Sequence, residues 1–171
     1  RHISVADAAR IVGMLPPFVT SVGLFVDADP AFVAEVVDRV GLDLLQFHGQ
    51  ESAVFCAQQR RPWIRAVRVK PETDLAAVQT EYAAGRGLLL DAYRPGVPGG
   101  TGETFDWDRI PPALAPRIIL AGGLNPDNVA AAVRRVRPYA VDVSGGVEAD
   151  KGIKDATKIA AFINEVRRAE Q

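Results

Sequence analysis

Two glycine pairs, each closing an apolar run, are the residues in this chain best suited to hold a phosphate. Ile118-Ile-Leu-Ala-Gly-Gly123 leads into Asn125-Pro-Asp-Asn128, and one strand-helix unit later comes Tyr139-Ala-Val-Asp-Val-Ser-Gly-Gly146. Neighbouring strand ends that carry no side chain beyond Cα leave backbone N–H groups bare at one spot, which is what an anionic oxygen needs. Gly122, Gly123, Ser144, Gly145 and Gly146 are therefore a candidate phosphate cradle, with ordinary tight turns as the alternative. Three titratable residues also stand at the ends of apolar runs. Asp91 follows Leu88-Leu-Leu90, where desolvation would raise its pKa into the range of a general acid, unless it caps a loop or pairs with Arg94. His48 follows Leu44-Leu-Gln-Phe47 and is either a substrate contact or a hydrogen-bonded structural imidazole. Asp142, between Val141 and Val143, either points at a ligand or anchors loops; a buried carboxylate needs partners in both cases.

These positions require strands that end together. Six apolar runs recur with amphipathic stretches between them: Val19–Val26, Leu42–His48, Trp63–Val69, Gly87–Asp91, Ile118–Ala121 and Tyr139–Ser144. Most are continuously apolar, as in strands buried on both faces of a parallel sheet. Helix signals fall between them. Ser4-x-x-Asp7 resembles a capping box, Asp29-Pro30 and Asn125-Pro126 set a cap before a first-turn proline, and Gly41 and Gly85 stand where helices should stop. A last helix is expected from about Asp155 to Arg168, with Ile159, Phe162, Ile163 and Val166 on one face. The repeat is that of an α/β fold. Phosphate sites after the last two strands belong to a (β/α)8 barrel. The even repeat and the absence of an early G-x-G-x-x-G favour that barrel over an open doubly wound sheet. Six of the eight strands, the third to the eighth, are then represented, in a single barrel domain spanning 1–171 and incomplete at its N-terminus. A barrel lacking two strands would expose unpaired edges and part of its apolar interior.

The longer step after Asp91 contains Tyr93 to Glu103, with glycines at 96, 99, 100 and 102 and prolines at 95 and 98. It reads as a lid over substrate or as a mobile connection, and it is neither a Walker A loop nor a Rossmann fingerprint. Composition removes other classes. With 48% hydrophobic and 24% charged residues the chain is ordinary globular protein, and a net charge of −1 argues against nucleic acid as a partner. The one basic cluster, Arg134-Arg-Val-Arg137, ends an expected helix, where it suits the dipole. One cysteine and two histidines supply neither a zinc site nor a disulfide framework, and no apolar run spans a bilayer. Cys56 lies in a helical run and reads as an inert core thiol. A soluble cytoplasmic protein without a metal site is expected, with no nucleic-acid or membrane partner.

Taken in order, Leu45-Gln-Phe-His-Gly49, Leu89-Leu-Asp91, Gly99-Gly-Thr-Gly-Glu-Thr-Phe-Asp-Trp107, Leu120-Ala-Gly-Gly-Leu-Asn-Pro-Asp-Asn128 and Val141-Asp-Val-Ser-Gly-Gly-Val-Glu148 resemble phosphoribosylanthranilate isomerase, an enzyme of tryptophan biosynthesis. The resemblance runs along almost the whole chain. It implies a cofactor-free Amadori rearrangement of N-(5-phosphoribosyl)anthranilate to the corresponding 1-deoxyribulose 5-phosphate. It makes Asp91 the general acid that opens the sugar ring and puts phosphate on the glycine-bearing strand ends. It also has Asp142 position substrate and aligns Arg1 with an arginine that pairs with the anthranilate carboxylate. Family members open with a strand bearing a Lys-x-Cys-Gly-type motif whose cysteine is the general base. No such motif stands in these residues, and Cys56 is not its equivalent. The expectation is that this N-terminal quarter is missing, and that the intact protein is a monomer or weak homodimer. Two other readings compete: a related phosphate-binding barrel such as indole-glycerol-phosphate synthase, and a catalytically silent binding fragment.

Overall fold

The computed structural model describes residues 2–92 and 104–170. Six parallel strands form one sheet in chain order: β1 (Val22–Phe25), β2 (Leu44–Phe47), β3 (Trp63–Val69), β4 (Leu88–Ala92), β5 (Ile118–Leu120) and β6 (Ala140–Val141). Every expected apolar run contains one of them. The helices are α1 (Val5–Val12), α2 (Pro30–Val40), α3 (Ala53–Ala57), α4 (Leu75–Glu81), α5 (Val129–Val136) and α6 (Ala156–Ala169). Between β4 and β5 the described residues hold only two short 3-10 turns, Trp107–Arg109 and Ala115–Arg117. The chain divides into two compact units, residues 1–66 with 81–87 and residues 67–80 with 88–171.

In the first unit, caps fix where helices begin. Ser4 Oγ accepts from Asp7 N, the N-cap half of the expected capping box, while the Asp7 carboxylate accepts from the Ser4 hydroxyl. Asp29 accepts from Ala31 N and Phe32 N ahead of Pro30, and Gly41 ends α2. Register between β1 and β2 is tied at their feet, where Ser21 donates both N and Oγ to the Asp43 carboxylate at 2.8 and 2.7 Å. Val22 then pairs with Leu44 and Phe25 with Phe47. Leu45 and Phe47 of β2, Val33 of α2 and Cys56 of α3 are fully buried in one core. Two expectations change here. Val22 and Leu24, on one face of β1, are 46% and 57% exposed, so this strand is covered on one side only. Gly85 does not end α4, which stops at Glu81. Its missing Cβ makes room for the Trp63 indole, which an added methyl would meet at 2.6 Å.

In the second unit, β4, β5 and β6 pair in register, Leu88 with Ile118 and Leu120 with Val141. Asn125 caps as expected, because its Oδ1 accepts from Asp127 N and Asn128 N. Regular helix nevertheless begins one turn later, at Val129. Arg135 departs from the helix-dipole reading by forming a bidentate pair with Asp108, through Nε at 2.7 Å and a second guanidinium nitrogen. Helix α6 is capped by Asp155, but of its expected apolar face Phe162 alone is buried, with Ile159 and Ile163 exposed. An antiparallel pair, β7 (Glu148–Asp150) with β8 (Ile153–Lys154), was absent from the sequence reading. Its strands are too short and too polar to carry a period-2 signal.

Candidate functional site

The site assembles laterally, because paired residues on neighbouring parallel strands present their side chains to the same face. Leu90 pairs with Leu120 and Leu120 with Val141, so one step further Asp91, Ala121 and Asp142 stand in one row. The hydrogen bonds agree: Ala121 N donates to Leu90 O and Asp142 N to Leu120 O, both at 2.8 Å. Arg65 N donates to Gly87 O, which carries Arg68 of β3 forward to a position beside Asp91. Arg68, Asp91, Ala121 and Asp142 thus cross four strand ends. Leu88, Leu90, Ile118 and Leu120 point to the opposite face, where each is at most 1% exposed.

Within the row, Asp91 is buried and Arg68 and Asp142 are exposed. Burial pushes the Asp91 carboxyl above its usual range, while the Ala92 backbone N–H and the charge of Arg68 pull the other way. A carboxyl that resists ionisation while reaching a strand end has the character of a proton donor. The expectation of a buried Asp142 is corrected: it is an exposed residue, the first beyond the two-residue strand β6.

The two glycine-bearing ends do come together. Gly122 and Gly123 both adopt the left-handed conformation, at φ 82° and 68°. A Cβ on Gly122 would overlap the Ala92 backbone N, and one on Gly146 would overlap Leu124 O. The Ser144-Gly-Gly turn therefore lies directly against the chain that leaves the Gly122-Gly123 pair. Lys154 joins them, donating to Ser144 O at 2.8 Å and pairing with Glu148 at 3.0 Å. Sequence reading did not single out Lys154 or Arg68. The visible signal for Arg68 was its place at the end of an otherwise apolar Ala-Val-Arg-Val run.

His48 belongs to the other unit and is half-buried just past β2, with its N donating to Phe25 O at 2.9 Å. The loop it begins is held by a buried polar knot that the sequence did not reveal. One oxygen of Glu51 accepts from Asp27 N at 2.7 Å, and the other accepts from Gly49 N and Arg65, both at 2.8 Å. Arg65 also donates to Gly49 O and lies over the Tyr82 ring, 5.0 Å from its centroid. Cys56 is wholly buried, and desolvation pushes its thiol up to about 11, as suits an inert core residue. Arg1 and the Tyr93–Glu103 segment lie outside the described residues. Among the described residues no group of side chains has the makings of a metal site, and no helix is long and apolar enough to cross a membrane.

Residues 1–165 match the family model described as N-(5'phosphoribosyl)anthranilate (PRA) isomerase. The chain belongs to this isomerase family. An N-(5'-phosphoribosyl)anthranilate isomerase of Thiobacillus denitrificans is 62% identical over 167 residues, covering 98% of this chain and 82% of the relative. The crystal structure of phosphoribosyl anthranilate isomerase from Thermotoga maritima superimposes with a TM-score of 0.87 at 42% identity, over 98% of this chain and 82% of that one. A family structure in complex with reduced 1-(o-carboxyphenylamino)-1-deoxyribulose 5-phosphate gives 0.80 at 38% identity, over 98% and 81%. The resemblance to the isomerase is thus borne out, and the six parallel strands match its barrel-like fold.

Proposed function

We propose that this chain catalyses the isomerisation of N-(5'-phosphoribosyl)anthranilate, a step of tryptophan biosynthesis, with Asp91 as general acid. The observation that carries the role of Asp91 is its burial at a strand end, in the same set of strand ends as the paired glycine turns. Asp91 gives its proton to the furanose ring oxygen, the C1–O bond breaks with its electron pair going to that oxygen, and the sugar opens. A base takes the C2 proton, and the resulting enolamine tautomerises to the ketone. Cys56 is not that base, because a thiol with a pKa near 11 inside the core neither ionises nor reaches substrate.

The phosphate sits on Gly122, Gly123, Ser144, Gly145 and Gly146, whose bare N–H groups suit its oxygens. Asp142 helps position the substrate, His48 contacts it, and Arg1 pairs with the anthranilate carboxylate through its guanidinium fork. The six strands stand for the third to eighth of a (β/α)8 barrel, read as one domain. The reaction needs no cofactor, and the protein works in the cytoplasm as a monomer or weak homodimer without nucleic-acid or membrane partners. The test is Asp91→Asn in the full-length protein. Turnover should fall by about two orders of magnitude or more, as expected for loss of a general acid, with the dissociation constant of a product analogue little changed. Unchanged turnover removes Asp91 from this role.

A further inference from the structure

We infer that Arg68 is a positioning residue for the general acid: its guanidinium stands beside the carboxylate that Asp91 becomes after proton transfer and sets how readily the proton leaves. The inference rests on the reading of Asp91 as the acid. Its basis is register: Arg65 N bonded to Gly87 O puts Arg68 opposite Asp91, on the same face of adjacent strands. Nothing in the apolar run around it requires an arginine. Ile64 and Ala66, the preceding residues on that face of β3, are buried, and Arg68 is the first exposed position of the series.

A buried carboxyl on its own holds its proton well but is a reluctant donor, since the anion it leaves behind is unsolvated. A cation at the edge of the row compensates at the moment the charge appears, without itself touching the sugar. Among the described residues, the Ala92 N–H and Arg68 favour the Asp91 anion. Of the other elements, β5 contributes Ala121 and no charge, β6 contributes the exposed Asp142 carboxylate at the far end of the row, and Lys70 follows just past the end of β3. Arg68 is the charged neighbour next in register to Asp91, and a planar, always protonated guanidinium holds its charge throughout the working pH range.

Arg68→Gln in the full-length protein removes the charge and keeps most of the side chain's bulk. Carbon-detected NMR titration of the Asp91 carboxyl should show its midpoint moved upward by about half a pH unit or more, as for loss of a nearby opposite charge partly screened by solvent. The kcat should fall about tenfold with KM little changed, and Arg68→Lys should restore most of both. An unmoved Asp91 midpoint overturns the inference, and so does a rise in KM alone, which would make Arg68 a substrate contact instead. The NMR readout does not depend on turnover. If Asp91→Asn leaves activity intact, the reading of Asp91 as the acid fails, whereas an unmoved midpoint in Arg68→Gln refutes the role of Arg68 alone.

Discussion

Replacing Glu51 with Gln should weaken the fold out of proportion to the change of one atom. The Glu51 side chain is 3% exposed and that of Arg65 is 11%, so their pair works with little help from solvent. The carboxylate faces three donors, Asp27 N, Gly49 N and the Arg65 guanidinium, and has no acceptor opposite it. An amide offers one oxygen and one NH2. If its oxygen serves Gly49 and Arg65, the NH2 is pressed against Asp27 N–H; in the other orientation two donors are opposed. At least one charge-assisted bond is lost, worth about 1.5–3 kcal/mol, and a buried donor is left unpaired at a further ~1 kcal/mol. The sum, about 2.5–4 kcal/mol, overlaps the range for breaking a buried ion pair from one side. With a urea m-value of roughly 2 kcal/mol/M, the denaturation midpoint should fall by about 1.5 M at unchanged m. The second variant is Arg65→Met, alone and in combination. Because it removes the stranded charge, the double variant should be less destabilised than the sum of the two singles by about 1–3 kcal/mol. A midpoint shift below about 0.5 M, or strict additivity, would show that this knot does not hold the loops of Asp27 and His48 together.

The Asp91→Asn variant should also be informative without substrate. The folded state holds the Asp91 proton more tightly than the unfolded chain, so this residue's stabilising effect is complete below its ordinary value of 3.8 and disappears as pH rises through the raised folded value. Asn carries no such dependence. The Tm of Asp91→Asn should therefore gain on that of the original protein between pH 3.5 and pH 8, and a constant difference would show the carboxyl to be ordinary. Gly146→Ala forces a Cβ toward Leu124 O and should cost about 1–3 kcal/mol of stability by overpacking. If the turn holds phosphate, KM should also rise about tenfold for the loss of one charge-assisted bond, with kcat less affected; an unchanged KM would move the phosphate elsewhere.

The strands were legible because they are buried: a run such as Leu88–Leu90 is apolar on both faces and bounded by Gly87 and Asp91. Caps were legible where the bonding is local, as at Ser4 and Asp29. Even at Asn125 the side-chain bonds were foreseen, although regular helix starts at Val129. What could not be read depends on register. Arg68 and Asp91 lie on different strands, and no local pattern says that they are neighbours. Glu51 follows His48-Gly-Gln and looks like a surface acid. Its burial becomes apparent only when β1, β2 and β3 bring Asp27, Gly49 and Arg65 to it. The glycine pairs were the exception, since a residue that only glycine can be announces itself in one dimension.

The chemistry proposed for the row at the strand ends depends on alignment. Sliding β4 by one position would exchange Asp91 for Leu90 or Ala92, and sliding β6 would exchange Asp142 for Val141 or Val143. Every substitute is apolar. A sheet misaligned in this way would leave the row without its carboxylates. Apolar burial drives these strands together, and where both faces are apolar it discriminates among alignments less than in a half-buried sheet. Discrimination falls to polar fasteners at the margins, such as Asp43 on Ser21 and the Gly146 turn on Leu124. Such contacts act as proofreaders of folding. Damage to one should show itself first as molecules that are folded, compact and inactive, before any loss of bulk stability appears.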